Sequence, residues 1–233
     1  MEAIVLAGGL GTRLRSVVHD VPKPMAPVRG RPFLAVVLDQ LVDAGFQTAI
    51  LAAGYRHEAI RDFFGDAYRG LVLRYSVESE PLGTGGAMRL ACRQANARDV
   101  FILNGDTYLE LEFHAMLDAH VRASSGFSMA VCHVPDVARY GALELDGGIV
   151  RGFSEKGRSG PGWINGGTYL LGAELRARLR SDGAFSFEHD LLVPEITDIR
   201  PLAFRASGLF IDIGVPDDYL RAQTLFRCDD QRR

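Results

Sequence analysis

The sequence predicts an α/β fold of the Rossmann-like kind, with three α/β/α layers around a mixed, mostly parallel sheet. Two observations support this prediction. Short apolar segments alternate with segments of helical periodicity through the first half of the chain, which is typical of a parallel sheet covered on both faces. The second half contains more segments of strand character, which predicts that further β structure is added there.

The first half contains predicted strands and helices in alternation. Pro32 precedes a segment whose apolar residues share one helical face, and Gly45 follows it as a stop signal. The other segments are assigned by apolar runs and periodicity. The predicted strands are residues 3–6, 48–52, 71–77 and 100–103, and the predicted helices are residues 33–44, 58–64, 87–95 and 113–123.

Beyond about residue 126 the pattern changes to closely spaced strands. The sequence Asp146-Gly147-Gly148 is typical of a hairpin turn between two of them. Helical character returns near the end of the chain. The predicted strands are residues 128–134, 141–145, 149–153 and 163–171, and the predicted helices are residues 174–180 and 217–226.

Composition and charge narrow the class of protein. The chain has 233 residues, of which 47% are hydrophobic, and we expect a single domain over residues 1–233. The net charge of −3 with mixed signs argues against a nucleic-acid partner. The N-terminus does not resemble a signal peptide, and no apolar run approaches the roughly 18 residues of a membrane span. Three scattered cysteines predict reduced thiols, so we expect a cytoplasmic protein without a membrane partner.

A glycine-rich segment follows the first predicted strand, where open α/β sheets bind their ligands. The segment Ala7-Gly8-Gly9-Leu10-Gly11-Thr12-Arg13-Leu14 allows backbone N–H groups to turn toward an anion. It matches neither the Walker pattern nor the dinucleotide-binding pattern. Arg13 and Lys23 supply cations, and the flanking Pro22 and Pro24 restrict the backbone of Lys23. Together these features favour phosphate binding over a simple strand-to-helix turn.

The glycine segment, with Pro22-Lys23-Pro24 at this distance, resembles the signature of the sugar-phosphate nucleotidyltransferases. Within that family the chain is most similar to bacterial guanylyltransferases that act on D-glycero-α-D-manno-heptose 1-phosphate. The resemblance covers almost the whole chain. It implies the nucleotide-diphospho-sugar transferase fold, with residues 1–126 mainly binding nucleotide and residues 127–228 mainly binding sugar. It also implies transfer of a nucleoside monophosphate to a sugar 1-phosphate for surface polysaccharide synthesis, such as capsule.

Two aspartates are candidate metal ligands. Asp106 follows a predicted strand in Asn104-Gly105-Asp106, and Asp212 lies in the apolar segment 210–216. From the residues alone, a turn cap for Asp106 and a buried ion pair for Asp212 explain them equally well. Mg²⁺ in nucleotide sites favours one or two carboxylates together with phosphate oxygens. In the resembled family the matching aspartates bind the metal, so the resemblance implies Mg²⁺ on Asp106 and Asp212.

The resemblance also assigns residues to the two phosphates and to the base. Arg13 and Lys23 are the expected catalytic cations. A Glu80 carboxylate could accept hydrogen bonds from both guanine N1–H and N2–H₂, which favours GTP, although capping of the next helix or exposure to solvent would also explain it. The expected nucleotide-binding residues are Leu6, Ala7, Gly8, Gly9, Gly11, Thr12, Glu80, Pro81, Gly83, Thr84 and Gly105.

Motifs in the second half match the family's sugar-contact motifs in order. Lys156 is expected to hold the sugar phosphate, and glutamate and asparagine side chains are expected to orient sugar hydroxyls. The expected sugar-phosphate-binding residues are Tyr140, Gly141, Glu155, Lys156, Asn165, Gly166 and Glu188. The sequence leaves mannose 1-phosphate or another hexose 1-phosphate open as the acceptor, and a homodimer as one possibility for the assembly.

Three other functions fit the sequence less well. A glycosyltransferase is expected to carry Asp-x-Asp, whereas Asp106-Thr107-Tyr108 lacks the second acid. An NAD-dependent oxidoreductase requires a better dinucleotide-binding pattern. A non-catalytic sensor of nucleotide sugars is expected to have lost Arg13, Lys23 or an aspartate, and all are present.

Overall fold

The structure is a computed structural model that describes residues 1–8, 21–54, 56–154, 159–179 and 182–226. The strands in chain order are β1 (Glu2–Leu6), β2 (Pro27–Val28), β3 (Arg31–Pro32), β4 (Thr48–Ala53), β5 (Ala67–Tyr68), β6 (Leu71–Val77), β7 (Val100–Asn104), β8 (Thr107–Leu109), β9 (Phe127–Val134), β10 (Leu143–Asp146), β11 (Ile149–Phe153), β12 (Gly162–Leu171), β13 (Leu202–Ala206) and β14 (Phe210–Asp212). The α-helices are α1 (Phe33–Asp43), α2 (His57–Phe64), α3 (Gly83–Cys92), α4 (Phe113–Arg122), α5 (Ala173–Arg178), α6 (Ile196–Ile199) and α7 (Pro216–Leu225). A 3₁₀ turn covers Lys23–Met25 and a π-helix covers Phe187–Leu192.

Ten of the described strands form one sheet in the order β10-β11-β13-β9-β12-β7-β1-β4-β6-β5. The strands β7, β1, β4 and β6 are parallel neighbours, as predicted for the first half. The antiparallel strand β12 joins them to β9, and β11 and β5 run in the same direction as β12. After β1 the chain adds β4 and β6 on one side and then β7 on the other. The carboxyl ends of β1 and β7 therefore flank a topological switch point, where ligands bind in such sheets.

Helices cover both faces of the sheet, because successive side chains of its strands point to opposite faces. In β1, Ala3 and Val5 belong to one apolar cluster and Ile4 belongs to the other. The first cluster includes buried residues of α1, α2, α4 and α7. The second includes residues of α3, α5, α6 and the π-helix. This arrangement confirms the predicted three-layer fold with a mixed sheet.

Most predicted elements lie within two residues of the observed ones, and β6 and β11 match the prediction. The predicted hairpin turn is confirmed, because Gly147 and Gly148 both have positive φ, at 56° and 84°, between β10 and β11. No helix among the described residues has the length and apolar character needed to cross a membrane.

The prediction was wrong at both ends of helix α3, which ends at Cys92 rather than at residue 95, and at the start of strand β10. Helix α3 begins at Gly83 rather than at residue 87, because the segment 185–187 supports its glycine-rich first turn. The N–H group of Gly85 donates to the Phe185 carbonyl at 3.0 Å, and Thr84 Oγ1 accepts from the N–H of Phe187 at 2.9 Å. Strand β10 begins at Leu143 rather than at residue 141, since Gly141 adopts φ 81° in the preceding turn. The prediction also missed β13 and the π-helix.

A buried histidine on α4 makes stability depend on pH. His120 is 2% exposed, and its Nδ1 lies 2.7 Å from Ser128 Oγ, while Nε2 lies 3.8 Å from Asp99 Oδ1. Burial lowers the pKa of His120 below its usual 6.5, although the Asp99 carboxylate opposes the shift. As the pH falls below the unfolded-state pKa, the unfolded chain binds a proton that the folded protein resists. The free energy of unfolding then falls by up to about 1.4 kcal/mol per pH unit until the folded-state pKa is reached.

We therefore expect urea unfolding of the His120→Gln variant to vary less between about pH 7.5 and pH 5.5 than that of the wild type. The variant is expected to be less stable at neutral pH. The quantity to compare is therefore the change in the free energy of unfolding with pH. His114→Gln is the matched control, since His114 is exposed on the same helix. An unchanged slope in His120→Gln would contradict the assignment of this pH dependence to His120.

Candidate active site

A cavity of about 680 Å³ opens at the switch point. Its walls come from the ends of β1 and β7, the 3₁₀ turn at Lys23, and segments of the second half of the chain. The lining residues are Leu6, Gly8, Lys23, Pro24, Asn104, Asp106, Thr107, Arg139, Tyr140, Gly141, Phe153, Ser154, Asn165, Gly167, Glu188, His189, Val193, Phe210, Asp212 and Gly214. Residues of both predicted halves therefore share one cavity.

Several predicted site residues line this cavity together. They are Leu6, Gly8, Lys23, Asp106, Tyr140, Gly141, Asn165, Glu188 and Asp212. Ala7, Gly105 and Gly166 are buried beside the lining. The predicted residues Gly9, Gly11, Thr12, Arg13, Glu155 and Lys156 lie outside the described residues.

The ends of strands β1 and β7 approach each other closely at Gly105. The N–H group of Gly105 donates to the Leu6 carbonyl at 3.0 Å, which holds the ends of β1 and β7 together. A Cβ atom at Gly105 would lie 2.9 Å from that carbonyl oxygen, so a larger residue would push the two strand ends apart. Glycine at this position thus keeps Asp106 at the edge of the cavity next to Gly8.

Three charged side chains of the cavity lining form a cluster. Lys23 Nζ lies 2.5 Å from Asp106 Oδ2 and 3.6 Å from Asp212 Oδ1. The side chains of Lys23, Asp106 and Asp212 are 17%, 31% and 28% exposed, so the cluster is shielded but reachable from solvent. The ammonium group therefore lies between two carboxylates, in the position that a shared cation would take.

Two local structures bring these charges together. Strand β14 pairs with β8 so that Asp212 is opposite Thr107, and the N–H group of Ile213 donates to the Asp106 carbonyl at 3.1 Å. Lys23 begins the 3₁₀ turn directly after Pro22, whose φ of −57° and ψ of 146° direct the chain into the turn. The proline restricts φ and thereby favours this conformation.

The two carboxylates have the donor chemistry of a magnesium site. Among the described residues, no cluster of three or more His, Cys, Asp or Glu side chains could hold a metal ion. Asp106 and Asp212 would thus supply only part of a coordination shell, and phosphate oxygens and waters would supply the rest. This is the usual arrangement for Mg²⁺ in nucleotide sites.

Asn165 and Glu188 form a second polar centre in the cavity with Tyr169. Asn165 Nδ2 donates to Glu188 Oε1 and to Tyr169 Oη, both at 2.6 Å. Tyr169 Oη donates to Glu188 Oε1 at 2.7 Å. Tyr169 is 2% exposed, and burial together with the Glu188 carboxylate raises its pKa well above 10. The phenol therefore stays protonated and fixes one oxygen of Glu188.

An irregularity in β12 aims Asn165 at the cavity. The pairing of β12 with β9 shifts register between Asn165 and Tyr169, and the N–H group of Gly167 donates to Asn165 Oδ1 at 3.0 Å. Glu188 comes from the π-helix, whose first turn is capped by Ser186 Oγ, the acceptor for the N–H of His189. Bulges and π-helices often occur at functional sites because they redirect single side chains.

Comparison with known proteins agrees with this geometry. The sequence matches the family described as "Nucleotidyl transferase" over residues 2–227. This chain belongs to the nucleotidyl transferase family. That result confirms the resemblance found in the sequence.

Individual relatives of this nucleotidyl transferase are similar over nearly their full length. It is 41% identical over 223 residues to the D-glycero-alpha-D-manno-heptose 1-phosphate guanylyltransferase of Aneurinibacillus thermoaerophilus, covering 96% of this chain and 97% of the relative. It is 38% identical to the enzyme of the same name from Campylobacter jejuni subsp. jejuni serotype O:2, covering 94% and 97%. The crystal structure of HddC from Yersinia pseudotuberculosis complexed with GMP-PN has a TM-score of 0.86 and 39% identity, covering 97% of this chain and 99% of that one.

The predicted base loop of this nucleotidyl transferase follows Glu78, which lies beside Gly8. Glu80, Pro81, Gly83 and Thr84 are exposed and do not line the cavity. Glu78, which the sequence analysis did not single out, anchors the loop: its Oε2 accepts from the N–H of Leu82 at 3.1 Å. Its Oε1 would lie 3.4 Å from a Cβ atom on Gly8. The loop is thus held against the strand end from which the glycine segment leaves.

Two further residues of this nucleotidyl transferase, Arg139 and Tyr169, were not among the predicted site residues. Arg139 directly precedes the predicted Tyr140, and its guanidinium lies over the Tyr140 ring with 4.7 Å between Cζ and the centroid. Burial raises the pKa of Tyr140, while the guanidinium opposes this shift. Position beside a predicted motif was the available signal for Arg139. For Tyr169 there was none, because the register shift that turns it toward Glu188 depends on strand pairing.

Proposed function

We propose that the protein transfers GMP from GTP to D-glycero-α-D-manno-heptose 1-phosphate, and that it releases pyrophosphate in the synthesis of surface polysaccharide. The observation that carries this proposal is the charge cluster of Lys23, Asp106 and Asp212 at the switch point. It lies in one cavity with Gly8 on the predicted nucleotide side and Glu188 on the predicted sugar side. Two relatives that are 41% and 38% identical over 96% and 94% of this chain carry the corresponding activity in their names.

The proposed reaction is an in-line displacement. A phosphate oxygen of the sugar 1-phosphate attacks the α-phosphorus of GTP, the bond from that phosphorus to the bridging oxygen breaks, and pyrophosphate leaves with the bond's electron pair. Such a reaction requires alignment and charge neutralisation rather than covalent help from the protein. Two polyanions must meet, so the cations of the chain have to offset their mutual repulsion.

The proposal divides that task among named residues. Backbone N–H groups of the segment from Gly8 to Thr12, together with Arg13, bind the departing pyrophosphate. Lys23 faces the α-phosphate, because its ammonium group already lies between the two carboxylates that are proposed to hold the metal. Lys156 holds the phosphate of the sugar. Residues 1–126 then mainly bind nucleotide and residues 127–228 mainly bind sugar, within one domain.

We assign Asp106 and Asp212 as ligands of Mg²⁺. Their carboxylates share Lys23 as a cationic partner, so both lie within reach of one cation. When bound, the ion would supply positive charge to the α-phosphate. Lys23 would then turn from the carboxylates toward the phosphate, which keeps the positive charge close to the reacting atoms.

The base and the sugar are assigned to two different groups of residues. The segment from Glu80 to Thr84, with Leu6, Ala7 and Gly105, is proposed to contact the nucleotide, with Glu80 accepting from guanine. The residues proposed to contact the sugar phosphate are Tyr140, Gly141, Glu155, Asn165, Gly166 and Glu188. We place the reaction in the cytoplasm, since its donor is a nucleoside triphosphate.

A substrate panel tests the proposal. Pyrophosphate release would be measured with GTP, ATP, UTP, CTP and dTTP, each paired with manno-heptose, mannose and glucose 1-phosphates in the presence of Mg²⁺. We expect the highest kcat/KM with GTP and the heptose 1-phosphate. Release with no pair would refute the reaction class. A preference for mannose 1-phosphate would mean that this sugar phosphate, and not the heptose 1-phosphate, is the acceptor. A preference for another triphosphate would refute the role of Glu80.

The contacts of Tyr169 lead to a further prediction. Tyr169→Phe removes the hydroxyl that donates to Glu188 Oε1, so the carboxylate loses one of its two neutral donors. We expect the KM for the sugar 1-phosphate to rise about tenfold, because hydrogen bonds to charged groups contribute about 1.5–3 kcal/mol. The KM for GTP is expected to stay unchanged, and steady-state kinetics with each substrate varied would measure both.

Tyr75→Phe is the matched control for this prediction. Tyr75 also donates its hydroxyl, to the Gly65 carbonyl at 2.5 Å, but it lies away from the cavity. Equal effects of Tyr169→Phe on the two KM values would mean that Tyr169 supports the fold as a whole rather than Glu188.

A further inference from the structure

Arg139 connects the charge cluster to helix α7. Its Nη2 donates to the Asp212 carbonyl at 3.2 Å and lies 3.5 Å from Asp212 Oδ2. Its Nη1 forms an ion pair with Asp218 in the first turn of α7. The guanidinium lies over the Tyr140 ring, so stacking limits its movement as well. One side chain thus bridges the end of β14 and the start of α7.

The two oxygens of Asp212 consequently face different partners. Oδ1 accepts from the N–H of Gly214 at 2.7 Å and points to Lys23 Nζ at 3.6 Å. Oδ2 faces Arg139. The carboxylate therefore presents one oxygen toward Lys23, the cation that it shares with Asp106, and keeps the other oriented toward the guanidinium.

The charges along this part of the cavity alternate in sign. Successive ion pairs connect five side chains in the order Asp106, Lys23, Asp212, Arg139 and Asp218. Removal of Arg139 would leave the carboxylates of Asp212 and Asp218 without the cation that they share. Their repulsion and the lost hydrogen bonds would then allow Asp212 to rotate away from Asp106.

We propose that Arg139 is a positioning residue for the divalent cation: it holds Asp212 so that a single oxygen, Oδ1, is directed at the site shared with Asp106. This inference rests on the proposed function, because the role of Asp212 as a metal ligand belongs to it. Residues that orient metal ligands commonly affect metal affinity about 10–100-fold when replaced. A fixed, single-oxygen ligand also suits Mg²⁺, which demands near-ideal octahedral geometry.

The test measures cation binding directly. The dissociation constant of Mn²⁺, used as the probe, would be determined from the electron paramagnetic resonance signal of free Mn²⁺, with a GTP analogue that cannot be cleaved between the α- and β-phosphates. We expect Arg139→Ala to weaken Mn²⁺ binding at least about tenfold. Arg139→Lys should lie between this variant and the wild type, because one ammonium group cannot bridge two carboxylates as a planar guanidinium does. In turnover assays the half-saturating Mg²⁺ concentration should rise, and high Mg²⁺ should restore kcat.

Two further variants separate positioning from folding. Asp218→Asn keeps the guanidinium but removes its anchor, and we expect it to weaken Mn²⁺ binding in the same direction. Arg151→Ala removes a solvent-exposed arginine that pairs with Asp146 at 3.2 Å, and we expect Mn²⁺ binding like that of the wild type. Circular dichroism of each variant would establish that it is folded.

Wild-type Mn²⁺ affinity in Arg139→Ala, together with a raised KM for the sugar 1-phosphate, would overturn the inference, because Arg139 would then contact that phosphate itself. This outcome differs from failure of the proposed function. Failure of that function would appear as a wild-type protein that releases no pyrophosphate with any substrate pair.

Discussion

Asp106→Ala is expected to lower kcat by at least about 10²–10³-fold while the protein remains folded. Asp106 is one of the two carboxylates proposed to hold Mg²⁺, and its Oδ2 has Lys23 as its ionic partner. The side chain is 31% exposed at the edge of the cavity, so its removal leaves no buried void. Pyrophosphate release with saturating GTP and sugar 1-phosphate measures the effect, and thermal unfolding measures the stability.

Asp146→Ala is the control for the loss of a carboxylate. Asp146 lies in an exposed ion pair with Arg151, and such pairs contribute about 0–1 kcal/mol. We expect it to keep wild-type turnover. If Asp106→Ala retained kcat within about tenfold of the wild type, the metal assignment at this position would be wrong.

Replacement of Lys23 by methionine is expected to have opposite effects on turnover and on cation binding. Methionine has a similar length but no charge, so the two carboxylates lose the ammonium group that lies between them. We expect kcat/KM to fall by about 10² or more, because a preorganised cation at the reacting phosphate is lost. Without nucleotide, Mn²⁺ should bind more tightly than to the wild type, since Lys23 no longer competes for the carboxylates.

The rarity of lysine in this chain makes a second measurement possible. Two of the 26 lysine and arginine residues are lysines, Lys23 and Lys156, and both are assigned to phosphates. Amine-reactive labelling followed by mass spectrometry would therefore report on Lys23 almost directly, and a GTP analogue with Mg²⁺ should change its labelling rate. Arg151→Met is the control for loss of a cation. Normal turnover in Lys23→Met would show that this charge cluster is not the reaction centre.

The arginine-rich composition also has a chemical rationale. Arginine presents several N–H donors in one plane, so Arg139 can pair with Asp212 and Asp218 at the same time. Lysine carries a compact charge on a flexible stem, which can move from a carboxylate to a phosphate. Lysine at position 23 is consistent with a group that has to exchange partners when nucleotide and metal bind.

The sequence predicted the elements whose signals are local. Helix α1 was predicted from apolar spacing between Pro32 and Gly45, and the hairpin after β10 was predicted from two glycines. Strand β13 was missed, because its five residues do not alternate between apolar and polar side chains in a clear pattern. Helix α3 was predicted to begin late, since glycines at its start have low helix propensity and the supporting segment 185–187 is distant in sequence.

In the candidate site, too, some residues could be predicted from local sequence and others depend on long-range contacts. The loop residues Gly8 and Asp106 could be placed at strand ends because parallel strands bring their carboxyl ends to one edge. The pairing of Asp212 with that edge depends on β8 and β14, which are short strands far apart in the sequence. The role of Tyr169 depends on a register shift, which local periodicity does not encode.

The sequence by itself therefore determined most of the order of the elements, the layered fold and the family, and it supplied the charged residues that we assign to the phosphates. These properties follow from local periodicity, turn residues and motif spacing. Only the tertiary structure decided that Lys23 lies between Asp106 and Asp212, and that Arg139 holds Asp212 against helix α7. Such contacts depend on long-range strand pairing and on the direction of each side chain within a packed site, which neighbouring residues in the sequence do not specify.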